Sequence, residues 1–545
     1  WVIFGFSMVL LWDKWQVHNG NKAMFFPTSA PAATAAAEGA AKPPVAGSAA
    51  VPTSASSPAA AQLPAAGAVA APAPRQSFEV TTDVFKLTFD SEGGSLVKAE
   101  LLKYSDVENK DRAVVLLDDS KDRVYVAQTG LIGGGFPTHK TPMNVVSAPR
   151  SLKDGENEIS VRFESPDLGG VKLIKTYTLR RGAYDVAVKH EVQNTGSAAV
   201  TPQIYFQLVR DGNKPPGESS FYSTFTGPAV YTDAKKYQKV EFKDIENGKA
   251  DIQKESPNGY VAMVQHYFAS AWLLADGIQR DLFMRKVDTN LYSVGMIATL
   301  PSIAPGASQA LDARFYAGPE EEKKLEALSP GLELVKDYGW LTILAKPLYW
   351  LLDKIHGVLG NWGWSIVGLV VLLKAAFFWL NAKAYSSMAK MKAINPRITE
   401  MRERLKDKPQ QMQQEMMRIY REEKVNPMGG CFPIMIQIPV FIALYWVLLS
   451  SVEMRNAPWI LWITDLSAKD PLYILPIIMT GTSLLQTWLN PTPPDPMQAK
   501  MMWIMPLVFS VMFFAFPAGL VLYWITNNIL SIAQQWVINK RLGVN

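Results

Sequence analysis

The chain has 545 residues, too many for one ordinary domain, with 48% hydrophobic residues, 19% charged residues and a formal net charge of +5. So mild a charge, without a long basic run, argues against nucleic acid as the main ligand. A single cysteine, Cys431, rules out an internal disulfide and a cysteine zinc cage. The five histidines (His18, His139, His190, His266 and His356) lack metal-ligand spacing and no Walker-type phosphate loop is present, so neither metal nor cofactor is expected.

The opening stretch WVIFGFSMVLLW is apolar but shorter than the ~20 residues a bilayer span needs. The polar DKWQVHNGNK after it offers no small-residue cleavage site, which favours an uncleaved anchor lacking its first residues over a signal peptide. Residues 27–77 are almost entirely Ala, Pro, Ser, Thr and Gly. They bury too little apolar surface to offset ordering entropy and read as a flexible tether.

From Phe78 the pattern turns to period two. Phe85, Leu87 and Phe89 alternate with Lys86, Thr88 and Asp90, and Gly93-Gly94 supplies a turn. Tyr184, Val186, Val188 and Val192 share a face against Asp185, Lys189, Glu191 and Gln193. Half-buried antiparallel strands have this pattern, and it recurs to about residue 318, enough for a large β-sandwich. The run PEEEKKLEALSPGLELV predicts a helix closing that domain. In 339–360 a polar stripe of Thr342, Lys346, Asp353 and His356 predicts a helix lying in the membrane interface, or else one packed on the β domain.

Apolar spans follow at roughly 363–383, 431–450, 471–489 and 501–538. The last would be about 57 Å long as one helix, twice the hydrocarbon thickness, so it folds back at FPAG, 516–519. With the anchor the count is six. Eleven Lys and Arg lie between the second and third spans, from Lys383 to Lys424, against two (Arg455 and Lys469) between the third and fourth. The positive-inside rule places the first loop in the cytoplasm with both termini, and the β domain outside.

The resulting plan has an anchor and flank (1–26), a tether (27–77), the β domain (78–335) and an interfacial helix (336–362). The second span (363–383), a cytoplasmic helical hairpin (384–430), the third span (431–451) and an outer loop (452–470) come next. The fourth span (471–490), a cytoplasmic loop (491–500), the fifth span (501–516), a turn (517–519), the sixth span (520–540) and a tail (541–545) complete it.

Lys374 sits inside the second span, where a charge costs roughly 2.5–3.5 kcal/mol, and no acidic residue lies in any span to pair it. On this topology Gln437, Thr480, Ser483, Gln486, Asn527, Asn528, Ser531, Gln534 and Gln535 also fall in the cytoplasmic half of the membrane, beneath an apolar outer half. Each amide or hydroxyl alone reads as interhelical glue. The set, with its unpaired cation, suggests a wet groove open to the cytoplasm. In the hairpin, Asn395-Pro396 and Pro409 read as starts of two short helices, with stripes of Ile398, Met401 and Leu405 and of Met412, Met416, Ile419 and Tyr420. Seven methionines in 384–430 suit a surface meeting varied apolar partners, or ordinary hairpin packing.

The stretches AYSSMAKM, MRERLKDKPQQMQQEMM, KVNPMGGCFPIMIQIPVFIALYW, DPMQAKMM and FPAGLVLYW resemble the YidC family of membrane protein insertases in its Gram-negative form, over nearly the whole length. The resemblance implies a six-span inner-membrane protein with a five-helix insertase core, a periplasmic β-supersandwich domain and no enzymatic step. It implies a substrate groove at Lys374, Gln437, Asn527, Asn528, Ser531 and Gln534, with lysine where relatives usually carry arginine. A hydrophobic slide would map to Phe441, Pro439, Met479, Tyr523 and Trp524. Met401, Met412, Met416, Arg402 and Arg404 would mark the cytoplasmic hairpin. Implied partners are nascent membrane proteins, the Sec translocon, phospholipids and, through the hairpin, the ribosome, with the chain acting as a monomer and reading no specific nucleic acid sequence. A secondary transporter, whose spans often show internal repeats, and a carbohydrate-active β domain on a mere anchor are the rival readings.

Overall fold

A computed structural model of the chain describes residues 51–52, 75–107, 109–216, 224–406, 408–423, 432–490 and 496–541. The expected anchor (1–26), nearly all of the tether and Cys431 lie outside the described residues. The chain divides into two compact units, Trp1–Lys336 and Asp337–Asn545.

The first unit is a pair of nine-stranded antiparallel sheets. One runs Ser77–Thr81, Phe85–Asp90, Ser95–Ser105, Ala113–Asp119, Val124–Ile132, Gln203–Asp211, Leu291–Thr299, Arg280–Asp288, Glu255–Ser256 in spatial order. The other runs Lys236–Lys239, Gly227–Thr232, Tyr260–Gln265, Phe268–Leu274, Ser308–Pro319, Asp185–Asn194, Val171–Arg180, Glu158–Glu164, Asn144–Ser147. Alternation does the sorting: Phe85, Leu87 and Phe89 are buried on one strand, and Val186, Val188 and Val192 on another. Two short helices, α1 (Phe242–Glu246) and α2 (Glu322–Leu328), accompany the sheets, α2 in the predicted closing segment.

The sandwich core is not purely apolar. Lys175, fully buried in the second sheet, donates to the carbonyls of Gly93 (2.6 Å) and Thr129 (2.8 Å) in the first. Tyr177, on the same strand, donates to the Gly94 carbonyl at 2.7 Å. The Gly93-Gly94 turn has φ of 69° and 54°, and a Cβ on Gly93 would meet the His139 carbonyl oxygen at 2.3 Å, so only glycine fits there. His190, on the same buried face as Val186, Val188 and Val192, lies 2.8 Å (Nε2) from the Thr129 hydroxyl. Burial without a counter-ion lowers the Lys175 amine to about 7, and burial beside Lys175 pushes His190 well below its ordinary range. A neutral amine has two N–H groups, matching the two carbonyls it meets.

The second unit is helical: α3 (Thr342–Leu359), α4 (Trp362–Ala376), α5 (Phe378–Arg404), α6 (Pro409–Glu422), α7 (Phe432–Ser450), α8 (Ile474–Leu489), α9 (Pro496–Phe513) and α10 (Ala518–Arg541). Helix α10 is the hub, packing against α4, α5, α7 and α8. Gly360 ends α3 in the left-handed region (φ 65°) and Asn361 starts α4, its side chain accepting from the Trp364 N–H at 3.0 Å. The buried Asp470 accepts from the N–H groups of Leu472 and Leu475 and from Trp462 Nε1, placing a carboxylate at the positive end of α8. At the expected fold-back α9 stops at Phe513 and α10 begins at Ala518, whose N–H bonds the Ala468 carbonyl at 2.7 Å.

Among the described residues no single helix is long and apolar enough to cross a membrane; α4 and α5 together are, but a 70° bend separates them. The straight helix expected over 363–383 therefore breaks at Phe377 (φ −92°, ψ 9°). Bending lets both arms face α10: Lys374 reaches it from α4, while Phe378 meets Gln534 from α5. The helix start expected at Asn395-Pro396 is also absent; α5 runs through Pro396 to Arg404. The buried Ile394, Ile398 and Met401 continue one stripe across the proline and pack against Ile419 of α6, outweighing the lost hydrogen bond.

The Lys175 amine is charged in the unfolded chain below about 10.5 and neutral in the folded one above about 7. The unfolded state thus binds the extra proton between those values, and stability rises with pH across the window. Urea unfolding of the β unit, followed by tryptophan fluorescence from pH 7.5 to 9.5, should gain ~1.4 kcal/mol per pH unit from this group. Lys175→Met should remove that increment.

Candidate functional site

The expected groove residues come together around α10. Lys374 Nζ donates to the Ser531 Oγ at 2.7 Å, and Ser531 passes its own hydrogen to the Asn527 carbonyl at 2.7 Å. Gln437, on α7, donates to Asn527 Oδ1 at 3.3 Å. Asn528 faces α8 instead, donating to Thr482 Oγ1 (3.2 Å) and Ser483 Oγ (2.9 Å). Gln534 donates to the Phe378 carbonyl at 3.0 Å, just past the bend. Lys374 is half-buried, and its described partner is a neutral hydroxyl, not a carboxylate.

Two roles shift against expectation. The Thr480 hydroxyl turns back onto its own helix, to the Pro476 carbonyl at 2.8 Å. Thr482, which polarity by depth had not singled out, makes the contact to α10. Gln535 is buried and donates to the Leu489 carbonyl and to Asn490 Oδ1, at the far end of α8.

Above this polar layer lies an aromatic one. Phe441 stacks on Tyr523 (centroids 5.7 Å apart, planes at 28°) and meets Trp524 edge-on at 4.7 Å; Phe513 adds a second edge contact to Trp524 at 4.9 Å. Pro439 is half-buried two residues before Phe441. Met479 is buried on α8, its sulfur accepting from the Ser483 hydroxyl at 3.3 Å. So four of the five expected slide residues stand on the α7 and α10 faces, while Met479 lies inside the packing of α8.

In the hairpin, Met401 is buried and Met412 and Met416 pack beside it. Its charges are partly self-compensated: Arg397 binds Glu422 and Glu423, Arg418 binds Glu415 and Glu422, and Arg404 lies 3.9 Å from Glu415. Arg402 is half-buried. Among the described residues no cluster of His, Cys, Asp or Glu could hold a metal ion.

The sequence matches the family model of the YidC periplasmic domain over residues 77–351 and that of the 60Kd inner membrane protein over 354–544. It is 56% identical to the membrane protein insertase YidC of Cupriavidus taiwanensis and, likewise at 56%, to that of Cupriavidus metallidurans, covering 100% of this chain and 97% of each relative. The chain belongs to the YidC family of membrane insertases. A solved structure of an active YidC insertase aligns over 84% of this chain and 91% of its own, with 19% identity and a TM-score of 0.38. The family supplies the setting, an inner-membrane insertase with a periplasmic domain.

Asn528 supplies two of the side-chain bonds between α8 and α10. Replacing it by alanine should cost about 1 kcal/mol, as interhelical hydrogen bonds in membranes are worth ~0.6 kcal/mol each. Thermal unfolding in detergent should show a lowered midpoint, and Asn528→Asp should not restore it because the carboxylate lacks the donor.

Proposed function

We propose that this chain inserts transmembrane segments of nascent proteins into the inner membrane through a hydrated groove at Lys374, open to the cytoplasm and lined by Gln437, Asn527, Asn528, Ser531 and Gln534. Both termini and the α5–α6 hairpin face the cytoplasm, and the β unit faces the periplasm. The observation that carries the reading is an ammonium in an apolar segment whose described partner is one hydroxyl. Such a group needs water or an arriving anion.

Burying an apolar helix in lipid is favourable by ~0.8 kcal/mol per CH₂. The obstacle is carrying the polar flank across. Water reaching partway shortens the dry path, and Lys374 draws acidic groups of the incoming tail into it. The apolar part of the substrate meanwhile slides along Phe441, Pro439, Tyr523 and Trp524 into lipid, a route that uses neither covalent chemistry nor a cofactor.

Helix α3 supports the placement of the membrane. Its outward stripe of Ile343 (87% exposed), Trp350 and Val358 (85% exposed) is apolar, while Lys346, Asp353 and His356 are half-buried against the protein. A helix in water would present the opposite face outward. Phospholipid headgroups are therefore its surroundings in this reading. The Met-lined hairpin and its exposed lysines are the surface for substrate and ribosome, and the chain works alone or with the Sec translocon.

Lys374→Glu should lower insertion of single-span substrates with acidic tails at least about tenfold, since one charge reversal at ~4 Å changes the interaction by roughly 2 kcal/mol or more even in high dielectric. Lys374→Arg should stay near the parent. Protease protection in reconstituted vesicles reads both, and equal insertion by the two variants would remove the charge from the mechanism. A cysteine at 374 should also react with a membrane-impermeant thiol reagent applied on the cytoplasmic side.

A further inference from the structure

We propose that the Trp379–Lys383 and Trp536–Lys540 pairs form a binding site for anionic phospholipid headgroups at the cytoplasmic mouth of the groove; the inference rests on the insertase reading above and its topology. The spacing Trp-x-x-x-Lys occurs three times in the helical unit, at 350–354 on α3, 379–383 on α5 and 536–540 on α10. Residues four apart share a helix face, so each lysine can fold back over its own indole. Lys383 Nζ lies 3.6 Å from the centroid of the Trp379 ring, Lys540 Nζ 5.2 Å from that of Trp536 and Lys354 Nζ 5.9 Å from that of Trp350. The indoles stay uncovered, Trp379 at 68% exposure and Trp536 at 56%, and so do their chain neighbours Phe378 and Val537. Among the described residues neither Lys383 nor Lys540 pairs with a carboxylate.

Two adjacent large apolar side chains beside a lysine are poorly served by water alone. At a membrane surface the same group fits: the rings sit among the upper acyl chains, and the ammonium reaches up to the phosphates. An ammonium resting on a ring face commits none of its three N–H groups to a fixed acceptor, so they remain for phosphate oxygens. A free phosphate would meet the ammonium and gain nothing from the indole, whereas a phospholipid meets both. On the proposed topology each of the two lysines lies one turn nearer the cytoplasm than its tryptophan, the order that headgroup above acyl chain requires. The Gln534 bond to the Phe378 carbonyl, 3.0 Å long, brings the pairs onto neighbouring helices, since Trp379 follows Phe378 directly and Trp536 comes shortly after Gln534. Trp379 also stands in the first turn of α5, just past the 70° bend. A headgroup held there ties the bent arm to the membrane surface beside the groove.

The test uses the full chain in vesicles of zwitterionic lipid doped with an equal small fraction of brominated phosphatidylglycerol or brominated phosphatidylcholine. Bromine quenches tryptophan fluorescence on contact, and the share belonging to the site is the difference between the parent and a variant carrying Trp379→Phe with Trp536→Phe. That share should report phosphatidylglycerol enriched about fivefold over phosphatidylcholine, the factor that one lysine near an anionic surface supplies. With Lys383→Gln and Lys540→Gln together, measured against the same tryptophan control, the preference should disappear. Quenching by brominated phosphatidylcholine should stay at the parent level, marking that variant as folded and inserted. Equal quenching by the two lipids in the parent, or a preference that survives the lysine changes, would overturn the site and leave the insertase reading standing. Inorganic phosphate added at constant ionic strength should not reverse the preference; a reversal would make the ligand a free anion and overturn the proposal as well. If neither lipid quenches the two tryptophans and aqueous iodide does, they lie in water, and the membrane placement of the groove falls together with the site.

Discussion

A lysine inside an apolar segment, paired among the described residues with a hydroxyl rather than a carboxylate, constrains everything packed around it. Charge burial of that kind persists only where hydrogen bonds or water stand in for the missing counter-ion. Here the stand-in is a serine on α10, and the geometry of four helices follows from reaching that helix. Helix α4 brings the cation, α5 bends by 70° to return beside it, α7 contributes Gln437 to Asn527, and α8 is joined through Asn528. The N-terminal end of α10 is fixed separately: the N–H groups of Ala518 and Gly519 bond the carbonyls of Ala468 and Leu466, so the loop after α7 caps the hub helix. One helix is thereby anchored at its start by backbone and along its length by amides and hydroxyls.

The β unit solves a related problem in the opposite way. Lys175 is more deeply buried than Lys374 and meets two carbonyls rather than a hydroxyl. Carbonyls satisfy a neutral amine as well as a charged one, and total desolvation favours the neutral form. That lysine serves as a clasp between sheets. Lys374 is only half-buried and meets a hydroxyl, so the two lysines differ in both burial and partner type.

Much of this was legible in the sequence, for reasons that can be traced to individual residues. Period-two burial at Phe85, Leu87 and Phe89 followed from alternation alone, and so did the Gly93-Gly94 turn. Lys374, Asn527, Asn528, Ser531 and Gln534 stood out because polarity is conspicuous in apolar runs. What stayed hidden depends on partners distant in the chain. The break at Phe377 has no proline or glycine to announce it and exists because both arms find contacts on α10. Pro396 announces a break that does not occur, because the Ile394–Ile398–Met401 stripe is held by α6. His190 shares the buried face of its neighbouring valines, and the hydroxyl of Thr129 across the sandwich makes that burial tolerable.

The identity of the cation is itself explained by this arrangement. A guanidinium presents five donors in a planar fork and is best held by paired acceptors such as a carboxylate. The site at Ser531 offers the cation a single hydroxyl oxygen. A compact ammonium on a flexible stem fits a single acceptor and keeps its remaining donors turned away from the helix wall. Within this network, lysine is the cation that can be tied at one point and still face outward with most of its hydrogen-bonding capacity unspent.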